Sequence, residues 1–306
     1  MEYVKNINIC LSCDDNYAKY AAVVIASVLT NKNEEDNIHF YILDGNISSE
    51  TKSKILELKN YKNCEIDFIE IDEKNFEIYT KIKTHEYITL QTYYRLKLSE
   101  ILPNIDKIIY LDCDMIVNSS LKTLFETDLG NNIIAGVLDA RVKHKRKWKN
   151  SNYINAGMIL FDLQKIRNEN IEEKFIEYTK NNIDTIETGD QDIINFTLEN
   201  KIKILPDEWN VQVSGFANRT SYTKHPKIIH YIGSQKPWMF GAITYFKNLY
   251  FENLQFTAWA LSEEDKQKWY KENKKSTIIK FLKKRPLFFL NPKYWYAFFC
   301  SFPLNI

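Results

Sequence analysis

Short apolar runs alternate with longer stretches of helical spacing along most of this chain, and that alternation limits the folds open to it. Ile7, Ile9 and Leu11 alternate with polar neighbours as a strand does, and Tyr17 to Thr30 follows as an Ala/Val-rich stretch of helical period. A second unit starts with the apolar run Phe40 to Leu43 and turns at Asp44-Gly45. Its helix opens at Ser48, a suitable N-cap, with Glu50 in the first turn where the helix dipole favours an acid. Ile66 to Ile71 reads as a third strand, Thr89 to Leu102 as a helix closed by Pro103, and Lys107 to Leu111 as a short strand. Ile133 to Leu138 and Met158 to Leu163 are strand-like, Ile171 to Asn181 and Gln191 to Asn200 helix-like, and Ile228 to Ile232 is a late strand. Repeated βα units predict an α/β fold. We expect a single Rossmann-like domain whose mostly parallel central sheet is covered by helices, with ligands beyond the carboxyl ends of the strands. From about Ser262 the periodicity gives way to Lys, Trp, Tyr and Phe, so the chain divides into a domain over 1–261 and an appendage over 262–306.

Composition narrows the function classes. Lys plus Arg number 41 against 40 for Asp plus Glu, which gives no overall attraction to nucleic acid. Cys10, Cys13, Cys64, Cys113 and Cys300 are odd in number and scattered through apolar runs without a CxxC pair, as expected of reduced thiols in a cytosolic protein. Met1 to Asn6 lacks the basic start and apolar core of a signal peptide, so a cytoplasmic location is expected. The apolar stretch Pro286 to Leu304 is interrupted by Asn291, Pro292 and Lys293 and is a poor membrane span.

Asp112 and Asp114 end the Lys107–Leu111 strand two residues apart, so their carboxylates fall on one face and can converge on a cation. Mg²⁺ or Mn²⁺ suits such oxygen ligands and bridges readily to a diphosphate. His230 ends a late strand and could add an imidazole, and Lys236 beyond it could reach a phosphate. Asp14-Asp15-Asn16 lies where the first strand meets the first helix. No GxGxxG accompanies it, so these residues suit base and ribose hydrogen bonds better than a phosphate, while either aspartate could serve simply as a helix cap. Arg95 is a cation within an apolar segment, open to a carboxylate or a donor hydroxyl. Asn155-Ala156-Gly157, read as a turn before a strand, and Asp190-Gln191-Asp192, at a helix start, supply short polar groups for a hydroxyl-rich ligand.

Taken in order, Ser12-Cys13-Asp14-Asp15-Asn16-Tyr17, Thr92-Tyr93-Tyr94-Arg95-Leu96, Tyr110-Leu111-Asp112-Cys113-Asp114, Asn155-Ala156-Gly157, Asp190-Gln191-Asp192 and His230-Tyr231-Ile232-Gly233-Ser234-Gln235-Lys236-Pro237-Trp238 resemble glycosyltransferase family 8 from about Ile7 to Trp238. The likeness points most to bacterial lipopolysaccharide α-galactosyl- and α-glucosyltransferases, with glycogenin more distant. It implies a nucleotide-sugar-binding domain of GT-A type that transfers glucose or galactose from a UDP-sugar to a glycan or glycolipid acceptor with retention. By the same resemblance, Asp112, Asp114 and His230 would bind Mn²⁺ or Mg²⁺, and Ser12, Asp14, Asn16, Arg95, Cys113, Gly233 and Lys236 would hold the UDP-sugar. Arg95, Asp139, Asn155, Asp190 and Gln191 would surround the sugar, Asp139 by its place after the Ile133 to Leu138 strand. For a double displacement, Gln191 and Asp190 would by the same resemblance be the nearest nucleophile candidates; an amide is a poor nucleophile, so front-face attack is the expected route.

Two segments depart from the family's usual pattern on the acceptor side: a short basic stretch from Arg141 to Lys149, and a reduced one from Ser214 to His225. In the appendage, Lys274, Lys275, Lys280, Lys283, Lys284 and Arg285 precede Phe288, Phe289, Tyr294, Trp295, Tyr296, Phe298 and Phe299. Cations followed by aromatics suit peripheral contact with the inner face of the cell membrane, each cation contributing roughly 1 kcal/mol. The competing functions are a catalytically silent UDP-sugar sensor or membrane-bound scaffold, and an aspartate-nucleophile phosphatase. The last is disfavoured because Met115-Ile116-Val117 lacks the expected Gly-Thr turn.

Overall fold

A computed structural model describes residues 6–83, 89–141, 152–214, 218–219, 225–239, 242, 244–269 and 271–272. In the first half, β1 (Ile7–Asp14), α1 (Ala18–Asn31), β2 (Ile38–Gly45), α2 (Ser49–Leu56), α3 (Leu58–Tyr61) and β3 (Glu65–Glu70) follow the anticipated alternation. Ser48 caps α2, its hydroxyl accepting from the Thr51 N–H. The anticipated helix from Thr89 to Leu102 is instead a 3-10 segment, Leu90–Lys97, followed by one α-turn, α4 (Leu98–Ile101). The tighter winding buries Tyr93, Tyr94, Arg95 and Leu96 in succession, and the Arg95 Nε–H donates to the Thr92 carbonyl three residues back at 2.9 Å.

The chain continues through β4 (Lys107–Leu111), β5 (Met115–Val117), α5 (Lys122–Phe125), β6 (Ile134–Leu138) and β7 (Ile154–Asp162). Then come α6 (Leu163–Asn168), α7 (Ile171–Asn182), α8 (Asp190–Thr197), β8 (Ile202–Ile204), β9 (Val211–Ser214), β10 (Asn218–Arg219), β11 (Ile228–Tyr231) and α9 (Lys247–Leu254). The main sheet has the order β3-β2-β1-β4-β7-β6-β8. Every strand in it runs the same way except β7, which is antiparallel to β4 and β6. A smaller sheet, β10-β9-β11-β5, stands beside it.

The reversal of β7 corrects one expectation and explains the site. Asn155-Ala156-Gly157 is not a turn before a strand but the first part of β7 itself. Because β7 runs backwards, its beginning lies at the edge where β1, β4 and β6 end, so Asn155 meets Asp139 and Gly157 meets Asp112 there. The Asp112 N–H donates to Gly157 O at 2.8 Å and the Asp139 N–H to Tyr153 O at 3.0 Å.

α1 is buried around almost its whole circumference, from Ala18 through Leu29, which accounts for its Ala and Val content. It packs against β1 and β5 and against α9. One apolar cluster fills the α1 face of the sheet, a second the opposite face under α7 and α8, and a third the smaller sheet with α9. Cys10, Cys13, Cys64 and Cys113 are free and buried. Of the appendage, residues 263–269 are helical. Trp269 packs on Phe251, 4.4 Å between ring centroids, and lies 4.9 Å from the Lys247 ammonium. The appendage's later Lys and aromatic residues, and residues 142–149, 215–217 and 220–224 of the two departing segments, lie outside the described residues. Among the described residues no helix is long and apolar enough to cross a membrane.

Candidate active site

Asp112 leaves the end of β4 and Asp114 precedes β5, so the pair spans the junction of the two sheets. The Tyr231 N–H donates to Asp114 O at 3.0 Å, and the pairing of His230 with Met115 sets the imidazole beside both carboxylates. His230 Nε2 lies 3.2 Å from Asp114 Oδ1 and 3.8 Å from Asp112 Oδ2. One ligand atom from each of the three lies within 4.8 Å of the others. Asp114 Oδ1 is buried without a hydrogen-bond partner, a loss of about 1–3 kcal/mol unless a ligand takes it. Two carboxylate oxygens and an imidazole nitrogen, one oxygen still unsatisfied, fit a divalent cation. Burial alone would raise the Asp114 carboxyl, but the Lys236 ammonium and His230 outweigh it and hold the group well below the usual carboxylate range. Lys236 forms an ion pair with Asp114 and donates to Tyr231 O at 2.6 Å. A phosphate contact from Lys236 therefore requires its ammonium to leave Asp114.

Gly157 is demanded by this packing. A Cβ there would stand 2.3 Å from His230 Cε1 and 2.9 Å from Asp112 Oδ2, too close for either ring or carboxylate to stay in place. Gly157→Ala is expected to displace His230 and weaken divalent-cation binding by tenfold or more, on the order of what disturbing a ligand's support costs. Calorimetric titration with Mn²⁺ checks this, and undiminished affinity would contradict the assignment of His230 as a ligand.

Arg95 ties the metal cluster to the α8 start. Its NH2 group donates to Asp112 Oδ1 at 2.8 Å and its NH1 group to Ala156 O at 2.5 Å, while Nε lies 3.1 Å from Asp190 Oδ2. The guanidinium lies over the Tyr110 ring, 4.0 Å from its centroid. Burial, foremost, and the nearby Asp112 charge push the Asp190 carboxyl up to about 7 despite Arg95. A carboxyl raised in the folded state binds more protons there than in the unfolded chain, so stability falls as pH rises from the unfolded value near 4 to about 7. Asp190→Asn is expected to flatten that slope in urea unfolding measured across this range. An unchanged slope would assign it elsewhere.

Beside this lies a buried amide cluster. Asp139 Oδ2 accepts from Asn155 Nδ2 at 3.2 Å and from Gln191 Nε2 at 3.0 Å, and Gln191 Oε1 accepts from the Ala156 N–H at 3.1 Å. Burial acts to raise the Asp139 carboxyl, but Arg141 and the Asn155 hydrogen bond hold it below its ordinary value. Asp192 is taken up structurally, accepting from Tyr153 OH at 2.5 Å, from the Thr188 hydroxyl at 2.6 Å and from the Glu187 and Thr188 N–H groups.

The model for Glycosyl transferase family 8 matches residues 8–242. The chain belongs to glycosyltransferase family 8. A putative glycosyltransferase of Haemophilus influenzae is 34% identical over 246 residues, covering 76% of this chain and 73% of the relative. The lipopolysaccharide 1,3-galactosyltransferase of Salmonella typhimurium is 28% identical over 251 residues, covering 76% and 72%. Among solved structures, the galactosyltransferase LgtC in complex with donor and acceptor sugar analogues matches with a TM-score of 0.74 at 26% identity, covering 86% of this chain and all of that one. The fold is that of GT-A glycosyltransferases.

In this family-8 chain Ser12, Asp14, Asn16 and Cys113 gather around the end of β1. Asp14 Oδ1 accepts from the Tyr17 N–H at 2.9 Å and Asn16 Nδ2 donates to Asp14 Oδ2 at 3.3 Å, so Asp14 closes the turn ahead of α1 rather than capping it: the N-cap is Tyr17, without a side-chain cap. Asp15 accepts from the Ser48 N–H at 2.8 Å and braces α2. The Ser12 hydroxyl donates to Gln91 O at 2.7 Å and the Cys113 thiol to Ser12 O at 3.3 Å, so both side chains are engaged by backbone. Gly233 has a left-handed φ of 75° with open space around it.

Sequence reasoning missed Asn210, Gln212 and Asn195. Asn210 Oδ1 lies 3.2 Å from His230 Nδ1, Gln212 Nε2 donates to Leu138 O at 2.9 Å, and Asn195 brackets the Ile154 backbone. A signal existed for two of them: Asn210 and Gln212 alternate with Val211 and Val213, and a polar group repeated on one face of a short apolar strand needs a buried partner.

Proposed function

We propose that this chain is a retaining hexosyltransferase that moves glucose or galactose from a UDP-sugar to a glycan or glycolipid acceptor in lipopolysaccharide or other cell-surface polysaccharide synthesis. The observation that carries the reading is the unsatisfied, ionised Asp114 within the Asp112–Asp114–His230 cluster, next to a buried set of sugar-sized polar groups. Membership of the family and the likeness to galactosyltransferases support the donor class. A Mn²⁺ or Mg²⁺ ion held by Asp112, Asp114 and His230 would supply charge neutralisation for the leaving diphosphate. Asp14, Asn16 and Gly233 would hold the nucleotide, and Lys236 would meet the diphosphate after releasing Asp114. Arg95, Asp139, Asn155, Asp190 and Gln191 would hold the sugar hydroxyls.

Retention needs front-face attack or a covalent intermediate. Asp139 is engaged by two amides and Asp192 by Tyr153 and Thr188, while Asp190 Oδ2 stands 3.1 Å from the Arg95 guanidinium without a hydrogen bond. The Gln191 amide is held at both ends and is a poor nucleophile. These engagements support front-face attack, with the leaving phosphate accepting the acceptor's proton. Peripheral membrane contact through 262–306 is part of the same proposal and rests on that segment's cations and aromatics.

UDP release from a panel of UDP-sugars, with and without Mn²⁺ and a lactose-like acceptor, tests the reading. Metal-dependent release from UDP-glucose or UDP-galactose is expected. Nucleotide binding without release from any donor would favour the silent sensor instead.

A further inference from the structure

Asp139 is fixed in place and fully occupied. Its own N–H donates to Tyr153 O, and the next one along, that of Ala140, donates to Gln212 Oε1 at 3.3 Å while Gln212 Nε2 holds Leu138 O at 2.9 Å. One glutamine thus clamps the backbone on both sides of Asp139, and the carboxylate cannot swing toward a ligand. Its Oδ1 accepts from the Arg141 N–H at 2.7 Å. Its Oδ2 accepts from Asn155 at 3.2 Å, from Gln191 at 3.0 Å and from Arg141 Nη2 at 3.3 Å. A carboxylate has room for about four donors, and that many are already present among the described residues. The Asp139 side chain is 0% exposed. Yet Asp139 is one of the groups expected to receive a sugar hydroxyl, and a hydroxyl can join only where a donor leaves.

These donors are unequal. One is a backbone N–H, and two are amides of the buried residues Asn155 and Gln191, which are themselves tied to the Gly157 and Ala156 N–H groups. Loss of either amide bond would strand a buried polar group with no water to replace it. The Arg141 side chain is 48% exposed, its contact is the longest of the set, and a released guanidinium passes directly into bulk water. We propose that Arg141 sets affinity for the donor sugar by holding, on Asp139, the place that a sugar hydroxyl takes when the donor binds. Arg141 is then a positioning residue rather than a catalytic one: it acts through Asp139, and each donor molecule must displace it. The inference rests on the reading of Asp139 as a sugar-binding group in a UDP-hexose-dependent enzyme.

Arg141→Met keeps the apolar stem and removes the guanidinium, whereas Arg141→Lys keeps a cation able to pair with Asp139. Titration calorimetry with Mn²⁺ but no acceptor, near pH 8 so that Asp139 stays ionised in every variant, compares UDP with UDP-glucose and UDP-galactose. Arg141→Met is expected to bind the hexose donor roughly three- to tenfold tighter, the worth of a half-exposed charged hydrogen bond, with UDP affinity unchanged. Arg141→Lys should stay near the unaltered protein. The contrast is decisive because UDP carries no sugar, and a loosened fold would weaken both ligands together. Donor affinity that is unchanged or reduced in Arg141→Met overturns the inference, as does equal tightening of UDP. Failure of the unaltered protein to bind any UDP-hexose would instead sink the reading of the function, and the inference with it. Turnover of a UDP-hexose by the unaltered protein, beside unchanged donor affinity in Arg141→Met, would leave that reading standing and remove only the role of Arg141.

Discussion

Asp114→Asn should lower Mn²⁺-dependent UDP release by roughly a thousandfold, about 4 kcal/mol of transition-state stabilisation, while leaving the fold in place. The substitution keeps the volume and one acceptor oxygen but removes the charge. That charge is secured by Lys236 and His230, which hold the carboxyl ionised against its burial. Asn is a weaker ligand for a hard cation and a weaker partner for the Lys236 ammonium, so affinity for metal and placement of Lys236 should suffer together. Initial rates across a Mn²⁺ series, with circular dichroism as the control for folding, provide the check. Turnover within a few fold of the unaltered enzyme would remove Asp114 from the metal site.

Arg95→Met should cost about 3–5 kcal/mol of stability and also abolish turnover. Met replaces much of the apolar stem yet offers nothing to Asp112, to the Ala156 carbonyl or to Asp190, all of which the guanidinium now holds. Removing one partner of a buried ion pair leaves the other charge uncompensated, and the Arg95 side chain is only 3% exposed and that of Asp190 5%. Protonation of Asp190 would relieve part of the cost, so the loss should be smaller near pH 5 than near pH 8, on either side of the value of about 7. Denaturant unfolding at both pH values measures it. A loss below about 1 kcal/mol at the higher pH would show that the pair contributes as little as an exposed one. Arg95→Lys should not rescue it, since one ammonium cannot reach three acceptors arrayed around a planar fork.

Much of this architecture was legible before any coordinates. Strand and helix positions at β1, α1, β2, α2, β3 and β4 followed from periodicity, and Ser48 was identifiable as a cap from its place before Glu50. Asp112 and Asp114 were recognisable because two acids at a strand end share a face whatever surrounds them. The 3-10 winding at Leu90–Lys97 was not legible, because it answers to the contacts of Arg95 on β4, β7 and α8 rather than to local propensity. Asn210 escaped for a related reason. An asparagine is ordinarily a turn or surface residue, and only the pairing of β9 with β11 brings it to His230.

The sequence by itself determined the α/β alternation, the family motifs from Ile7 to Trp238 and the candidate groups for metal or sugar, because each depends on neighbours only a few residues away. Tertiary structure alone decided that β7 runs against its neighbours, bringing Asn155 and Gly157 to the edge where Asp112 and Asp139 emerge. It alone decided that Gly157 must lack a side chain and that Asp139 is ringed by the donors of Asn155, Gln191 and Arg141. Those features come from contacts between residues distant in the chain, where close packing and the need to satisfy every buried polar group select one arrangement among many that local preference allows.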